Sequence, residues 1–520
     1  MSNKKETPKK FRASTLDNMI GIFSPRVRRK RLLDKFASSI MERKYEGAGK
    51  GRRTKGWFTR STSASAEVAI AGATLRDRSR DLVRNNPYAK RGVEGITNNT
   101  VGRGTMIQWK TKPTRLENDI NARWRAWANT PSVCDFDGLL TYGGMESLAF
   151  RSMIEGGESL AVLKRVERQS AIDPVSGKLV EVPPIQIQIL EGDFIASNRQ
   201  TGVQSDGTRI IQGIVFDQDG KRISYKLFKQ HPGSFNVTPI SSSLAFDVPA
   251  SEVAHIYRLE RAGQIRGVPW AASIIIKLRD LDEFSDANLV RQKIAAMWVA
   301  FVKDNDSLEE ALTEVEKEEL GEKMEPGVIE FLPPGKDISF AKPPGVENYD
   351  EFMSVELHAI ASGLGCTFEM LTGNLKGVNF SSGRMGFLEF QRNVDTWRAH
   401  IMRPMFLTRT TQWWLEGLLL LGLKTNDVRR VFTPPRREMI DPTKEVPANK
   451  TAVRTGFKSL SEVIRESGKD PEEHFAELKS DTEMLDKLGL ILDSDPRNTQ
   501  ISGIQQNDEP TPPPTSDDDD

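Results

Sequence analysis

The chain has 520 residues, of which 38% are hydrophobic and 28% charged, with a formal net charge of +1 and two cysteines. That length exceeds what a single core organises, so several structural parts are expected, with enough apolar side chains to build them. Cys134 and Cys366 are far apart, and the five histidines (His231, His255, His358, His400, His474) show no metal-ligand spacing, which argues against a disulfide scaffold and a zinc module.

The chain opens on a basic segment. Residues 1–60 carry 18 Lys/Arg against 5 Asp/Glu, whereas residues 465–520 carry 5 against 16. A basic end can attract nucleic acid or an acidic partner, or can be a solvated tail. No apolar segment follows the basic start, and the longest apolar stretch, 413–423, contains Glu416 and is too short to span a bilayer. A soluble, intracellular protein without a membrane partner is expected.

After a small polar linker at 61–66, the pattern predicts a helix over 66–84, ended by Asn85-Asn86-Pro87 because a residue before proline is pushed out of the helical region. A second helix is predicted over 87–101, a strand over 106–112 and helices over 115–128 and 145–156. Trp124 and Trp127, three apart, share a helix face that reads as core. Residues 157–260 are strand-rich, with strands predicted at 159–166, 185–190, 210–217, 223–228 and 253–257 and turns at Asp173-Pro174, Asp206-Gly207 and Asp219-Gly220. The fold class expected is α+β.

Residues 273–302 contain no Gly and no Pro, which predicts a helix of 30 residues. At 1.5 Å per residue it would be about 45 Å long and must bury its apolar stripe against another helix. A small insertion follows, with an acidic helix over 307–325 and a strand over 327–332, punctuated by Pro333-Pro334-Gly335 and Pro343-Pro344-Gly345. A helix over 349–364, a polar Gly-rich loop over 373–383 and a helical region over 384–421 kinked at Pro404 come next. Short helices are expected at 442–455, 460–468 and 471–488, and then a Pro-rich acidic tail.

Catalytic constellations are missing from the sequence. There is no P-loop (Gly335-Lys336 is followed by Asp337), no G-x-S-x-G, no H-E-x-x-H and no dinucleotide-binding glycine motif. Asp280, Asp282, Glu283 and Asp286 cluster on one predicted helix, which reads as an exposed face rather than a two-metal nuclease, whose carboxylates converge from different elements. No enzyme, cofactor or metal site is expected.

Five local sequences, in order, resemble the lambda-type portal protein family of tailed bacteriophages. They are Arg80-Asp81-Leu82-Val83-Arg84-Asn85-Asn86-Pro87-Tyr88, Gly157-Glu158, Gly263-Gln264-Ile265-Arg266-Gly267-Val268-Pro269, Gly363-Leu364-Gly365-Cys366-Thr367-Phe368-Glu369 and Asn379-Phe380-Ser381-Ser382-Gly383-Arg384. Phe368 and Phe380 stand where the family pattern has tyrosine, which loses a hydroxyl and keeps the ring.

The resemblance implies a portal fold. Its parts would be a basic flexible arm at 1–60, an α+β wing at 61–270, a stem helix at 271–303, a small α/β clip at 304–346 and a second stem helix at 347–372. A tunnel loop at 373–384, a kinked helix and wing return at 385–455, a crown-like helical region at 456–495 and an acidic tail at 496–520 would complete it. It implies a ring, dodecameric in the capsid, that forms a non-enzymatic channel for double-stranded DNA without sequence specificity. Lys376, Asn379, Ser381, Ser382 and Arg384 would face DNA, or belong to a plain exposed loop. Asp280, Asp282 and Glu283 would line the channel and repel DNA, or make inter-subunit ion pairs with Arg279 and Arg291. Glu309, Glu310, Glu314 and Glu318 would offer an acidic docking surface on the clip. Implied partners are the terminase large subunit, which would hydrolyse ATP, the major capsid protein and scaffold, and a head-completion or tail adaptor protein. The implied location is the virion's portal vertex, with host cytoplasm during assembly. The rival readings are another ring-forming virion connector and a DNA-processing enzyme.

Overall fold

The computed structural model describes residues 61–197, 202–234, 245–296, 300–304, 336–340, 349–436, 441–469 and 471–490, with isolated positions elsewhere. The chain divides into Met1–Thr62, of which only isolated positions are described, and Ser63–Asp520, which holds the fold below. The basic arm, the acidic insertion helix with Glu309, Glu310, Glu314 and Glu318, the strand expected at 327–332 and the acidic tail lie outside the described residues.

The fold begins with two helices, α1 (Ala64–Asn85) and α2 (Pro87–Thr100). One residue joins them. The Asn86 N–H donates to the Leu82 carbonyl at 2.7 Å and closes α1, while its Oδ1 accepts the Ala89 N–H at 2.8 Å and opens α2, with Pro87 in the first turn. This is the cap chemistry that a short polar side chain before proline supplies. Strand β1 (Met106–Lys110), helix α3 (Thr114–Asn129), the single turn α4 (Pro131–Cys134) and helix α5 (Tyr142–Gly156) follow.

Among the described residues, eleven strands lie between Met106 and Tyr257, the last ten after α5: β2 (Glu158–Arg165), β3 (Gln169–Ile172), β4 (Leu179–Val182), β5 (Ile185–Glu191), β6 (Gly202–Val203), β7 (Arg209–Ile211), β8 (Ile214–Phe216), β9 (Arg222–Leu227), β10 (Phe246–Pro249) and β11 (Val253–Tyr257). They form a three-stranded antiparallel sheet in the order β11-β2-β5, a five-stranded sheet β10-β9-β8-β7-β6 and the hairpin β3-β4. The single strand expected over 210–217 is two strands, because Gln212 and Gly213 both take positive φ (50° and 79°) and make the two-residue turn of a hairpin.

A short 3₁₀ turn, Trp270–Ser273, leads into helix α6 (Ile275–Ala296). The expected 30-residue helix is therefore 22 residues long. Residues 300–304 instead form β12 (Ala300–Asp304), paired antiparallel with β13 (Lys336–Phe340). Freedom from Gly and Pro permits a helix but does not impose one, and the β-branched and aromatic side chains around Val299 to Val302 favour a strand. Helix α7 (Tyr349–Leu364) runs as expected, but the second long helix does not reach 372: Thr367 caps a separate short helix, α8 (Phe368–Thr372).

Helix α9 (Phe380–Trp397) passes without interruption into a π-wound segment, Arg398–Leu407, and then into α10 (Thr408–Leu420). Pro404 lies in the π segment, whose wider winding accommodates the missing N–H where a kink was expected. Strand β14 (Arg429–Thr433) returns to pair with β1. Helices α11 (Pro442–Arg454), α12 (Leu460–Glu466) and α13 (Pro471–Leu488) end the described chain. Among the described residues no helix is long and apolar enough to cross a membrane.

The main core is aromatic. Trp109 of β1 stacks on Trp414 of α10 with centroids 4.9 Å apart, and Trp124 meets Trp414 edge-on at 5.1 Å. Trp127 is fully buried, and its indole N–H donates to the Ile185 carbonyl at 3.0 Å. Rings in such offset and edge contacts add about 0.5–1.5 kcal/mol per pair beyond burial. The helix-face reading of Trp124 and Trp127 as core therefore describes their actual position. A smaller apolar cluster, with Leu160, Ile214, Tyr225 and Leu227, joins the five-stranded sheet to β2 and β11.

Candidate nucleic-acid interface and the junction behind it

The predicted loop is shorter than expected. It runs from Gly373 to Asn379, because the Asn379 side chain accepts the Ser382 N–H at 2.8 Å while the Ser382 hydroxyl accepts the Asn379 N–H at 3.2 Å. This capping box starts α9 at Phe380. Ser381, Ser382 and Arg384 thus sit in the first two turns of a helix, and the Asn379 and Ser382 side chains are spent on the cap. Lys376 and Ser381 are exposed and Arg384 is half-buried. The loop hangs from α8, where the Arg91 guanidinium of α2 donates to the Met370 carbonyl at 2.9 Å. Lys444 of α11 lies over the Phe380 ring at 5.5 Å, which brings a further cation to the start of α9.

The acidic residues of α6 separate by role. Asp280 is exposed. Glu283, also exposed, pairs with Arg279 one turn earlier at 2.9 Å. Asp282 is half-buried and accepts from the Asn86 side-chain amide at 2.8 Å, so it ties α6 to the joint between α1 and α2. Helix α6 lies along α7, with Ile275, Leu278 and Leu281 buried on one side and Met353, Leu357 and Ile360 on the other. Lys277 and Glu356 bridge the two helices at 2.6 Å.

The densest polar chemistry lies elsewhere, at a place the sequence pattern did not single out as a site. Glu158 opens β2 with a fully buried carboxylate. It receives Arg266 through Nε at 2.8 Å and through Nη2, the His255 Nε2 at 3.0 Å, the Arg76 guanidinium at 3.2 Å and the Gly267 N–H at 3.0 Å. Burial pushes the Glu158 carboxyl up, but the Arg266 charge and the bonds from His255 and Arg266 hold it well below the usual carboxylate range. Burial also depresses His255, and Glu158 only partly offsets this, so the ring is neutral at pH 7. A carboxylate only accepts, so His255 carries its proton on Nε2, and Nδ1 faces the Tyr225 hydroxyl at 3.5 Å and Arg222 at 3.4 Å.

A second layer extends this network. Arg76 donates to Asp193 Oδ1 at 2.8 Å, and Arg80 bridges Asp193 and Glu191. The His231 ring lies 3.4 Å from Glu191, and Glu191, Asp193 and His231 bring their ligand atoms within 4.8 Å of one another. The two arginines already neutralise both carboxylates, so the group is an ion network rather than a cation cage.

The family-like segments take up this junction. Glu158, Arg266 and Arg80 each come from one of them, Asn86 caps two helices, and Asn379 with Ser382 caps a third. Gly157 (φ 91°) and Gly267 pass in direct contact: a Cβ on Gly267 would lie 1.9 Å from the Gly157 carbonyl oxygen. What the sequence offered as labels are structural joints.

Comparison with known proteins agrees. The family model for phage portal proteins of the lambda family matches residues 50–398. The chain is 24% identical over 480 residues to a probable portal protein of Halomonas phage phiHAP-1, covering 86% of this chain and 88% of that protein. It is 21% identical over 503 residues to portal protein B of Escherichia phage lambda, covering 85% and 90%. A chain in the neck of a native gene transfer agent particle, computed with C12 symmetry, superposes with a TM-score of 0.42 at 14% identity, covering 79% of this chain and all of that one. With a family match over more than half of its length, the chain belongs to the lambda family of phage portal proteins.

Proposed function

We propose that the chain assembles into a closed ring of twelve copies at one vertex of the capsid and forms the channel through which double-stranded DNA enters and leaves. The observation that carries this reading is the family match over residues 50–398, which takes in both long helices and the loop between α8 and α9. A cyclic ring needs one head-to-tail interface that closes on itself. In this reading residues 61–270 are the wing, α6 and α7 the stem, the insertion closed by β12 and β13 the clip, α9 to α11 the helix through Pro404 and the wing return, and α12 and α13 the crown-like region.

The loop carrying Lys376, with Ser381 and Arg384 behind it, would meet DNA phosphates. Backbone contacts carry no sequence information, which a channel for any sequence requires. Asn379 and Ser382 support the loop as a cap rather than touch DNA. Of the acidic stem residues, Asp280 and Glu283 are exposed and remain candidates for the bore, whereas Asp282 serves the subunit's own packing. The clip carboxylates Glu309, Glu310, Glu314 and Glu318 would dock a basic surface of the terminase large subunit or of a head-completion protein. The wing would meet the major capsid protein and scaffold. The chain would act in the virion, after assembly in the host cytoplasm, and catalyse nothing itself, leaving ATP hydrolysis to the motor.

Electron microscopy of the purified full-length chain tests this. Rings with a central hole and one dominant rotational symmetry are expected. A uniform monomer or dimer at all salt and protein concentrations would overturn the reading.

A further inference from the structure

We propose that Glu158 and Arg266 are positioning residues that fix the angle at which α6 leaves the β-sheets, and through that angle the number of subunits in the ring. The proposal rests on the ring reading above and deepens it. The argument starts at the connection. Twelve residues, 258–269, lead from β11 to the turn before α6, and most of them up to Gly263 are exposed. A loop of that length does not by itself define the direction of the helix that follows.

Asp282 ties α6 itself to Asn86, and two further side chains order the loop that leads into it. Gln264 folds the loop on itself: its Oε1 accepts from Glu260 N at 2.9 Å and Arg261 N at 3.3 Å, and its Nε2 donates to the Arg266 carbonyl at 2.9 Å. Arg266 then locks the folded loop onto the sheets. Besides Glu158, its guanidinium reaches the Gly192 carbonyl at 3.0 Å, the Gln212 carbonyl at 3.1 Å and the Ser197 hydroxyl. One buried fork thus touches β2, the turn after β5 and the β7–β8 turn, four residues before Trp270 begins the approach to α6.

The fit has no slack. Gly267 and Gly157 pass with no room for a Cβ, and the Gly267 N–H is bonded to the same carboxylate. A two-pronged arginine–carboxylate contact is directional, unlike an apolar contact, which tolerates sliding. Buried ion pairs add little net stability but can specify a register. That is the property required here. Where two parts of one subunit both touch the next copy, they close on the same number only if their relative orientation is fixed. Twelve-fold and thirteen-fold rings differ by only about 2° per interface, so a small wobble at this joint is enough to mix them.

The experiment compares the wild-type chain with Glu158→Gln, Arg266→Lys and Trp127→Phe. Each is scored for melting temperature and for the distribution of rotational symmetries in electron-microscopy class averages. Arg266→Lys keeps the charge and loses the fork. Trp127→Phe lowers stability in the aromatic core, where Trp127 meets Ile185 at the opposite end of β5 from the joint at Gly192. The expected result is one symmetry for wild type and for Trp127→Phe, and a shift to several symmetries or open arcs for both junction variants. Junction variants that keep the wild-type symmetry overturn the proposal, as does a Trp127→Phe variant that broadens the distribution equally. Should Glu158→Gln fail to fold, Arg266→Lys decides; failure of both to fold would mean that the junction holds the fold rather than the angle, and would also overturn it. A wild-type chain that makes no ring would instead overturn the ring reading.

Discussion

The region around Glu158 and the region around Glu146 each bury one carboxylate completely, and they treat its charge in opposite ways. Glu158 is met by Arg266, Arg76 and His255 and is held ionised well below the usual range. Glu146, on α5, accepts the Thr105 N–H and hydroxyl, both at 2.7 Å, and clamps the turn between α2 and β1 onto α5. Burial pushes its carboxyl up to about 7, and the Thr105 bonds and the charge of Arg398 only partly offset this. Burial sets the size of the penalty on a charge, and the partner decides whether it is overcome. One site is an ionic joint. The other is a polar clamp whose charge is marginal at neutral pH.

The largest expected effect comes from removing the partner at the ionic joint. Arg266→Ala leaves Glu158 buried and short of its main counter-charge, and stability should fall by about 3–5 kcal/mol in denaturant titration. The double variant Glu158→Gln/Arg266→Met should recover part of that loss; a double variant no more stable than Arg266→Ala would mean that packing, not charge, holds the joint.

The pH dependence should separate the two regions. The folded-state value of Glu146 is about 7 against an ordinary 4.5. Its proton is bound more tightly in the folded chain, so its contribution is full below pH 4.5 and is lost as pH rises through about 7, a change of about 3 kcal/mol. Glu158 is depressed, so its contribution is present above its ordinary value of 4.5 and is lost as pH falls through the folded value. Thermal melts from pH 2 to 8 should therefore show Glu146→Gln flattening the neutral limb and Glu158→Gln flattening the limb below pH 4.5. Identical pH profiles for the two variants would erase the distinction.

Smaller effects are expected at the loop. Asn379→Ala should cost about 1 kcal/mol by removing the cap of α9, and should raise amide exchange near Phe380 first. Lys376→Ala should leave stability within about 0.5 kcal/mol, because the side chain is exposed and makes no ion pair with a described residue. In the proposed channel the same change should lower DNA packaging in a reconstituted assay, with the melting temperature unchanged.

Much of the secondary structure was legible because its signals are local. Asn86-Pro87 marks a helix boundary, and the runs that became α7 and α13 carry helical patterning, with glycine in α7 only at Gly363 in its last turn. The hairpin β3-β4 and the strand β14 were missed: only the Asp173-Pro174 turn announced the first, and arginines at the start of β14 hid the second. The loop was placed correctly but drawn too long, since the Asn379–Ser382 cap was quoted as a motif without its geometry. The junction was missed because its members are dispersed, Arg266 lying 108 residues from Glu158 and His255 97. Signals were present: Arg80, Glu158 and Arg266 each lie in a quoted family-like segment, and Glu158 is a glutamate at the head of the apolar run Ser159-Leu160-Ala161-Val162.

The sequence by itself determined the family and most helix ends, because motifs, caps, prolines and periodic apolar positions act within a few residues. Catalytic motifs are equally short, and none of those sought occurs in the chain. Only the tertiary structure decided which charges are buried and which are paired. Ionisation depends on desolvation and on neighbours brought from distant segments, so Asp282, a candidate channel residue, serves as an acceptor for Asn86, and Glu158, quoted only as part of a family-like segment, becomes the centre of a joint.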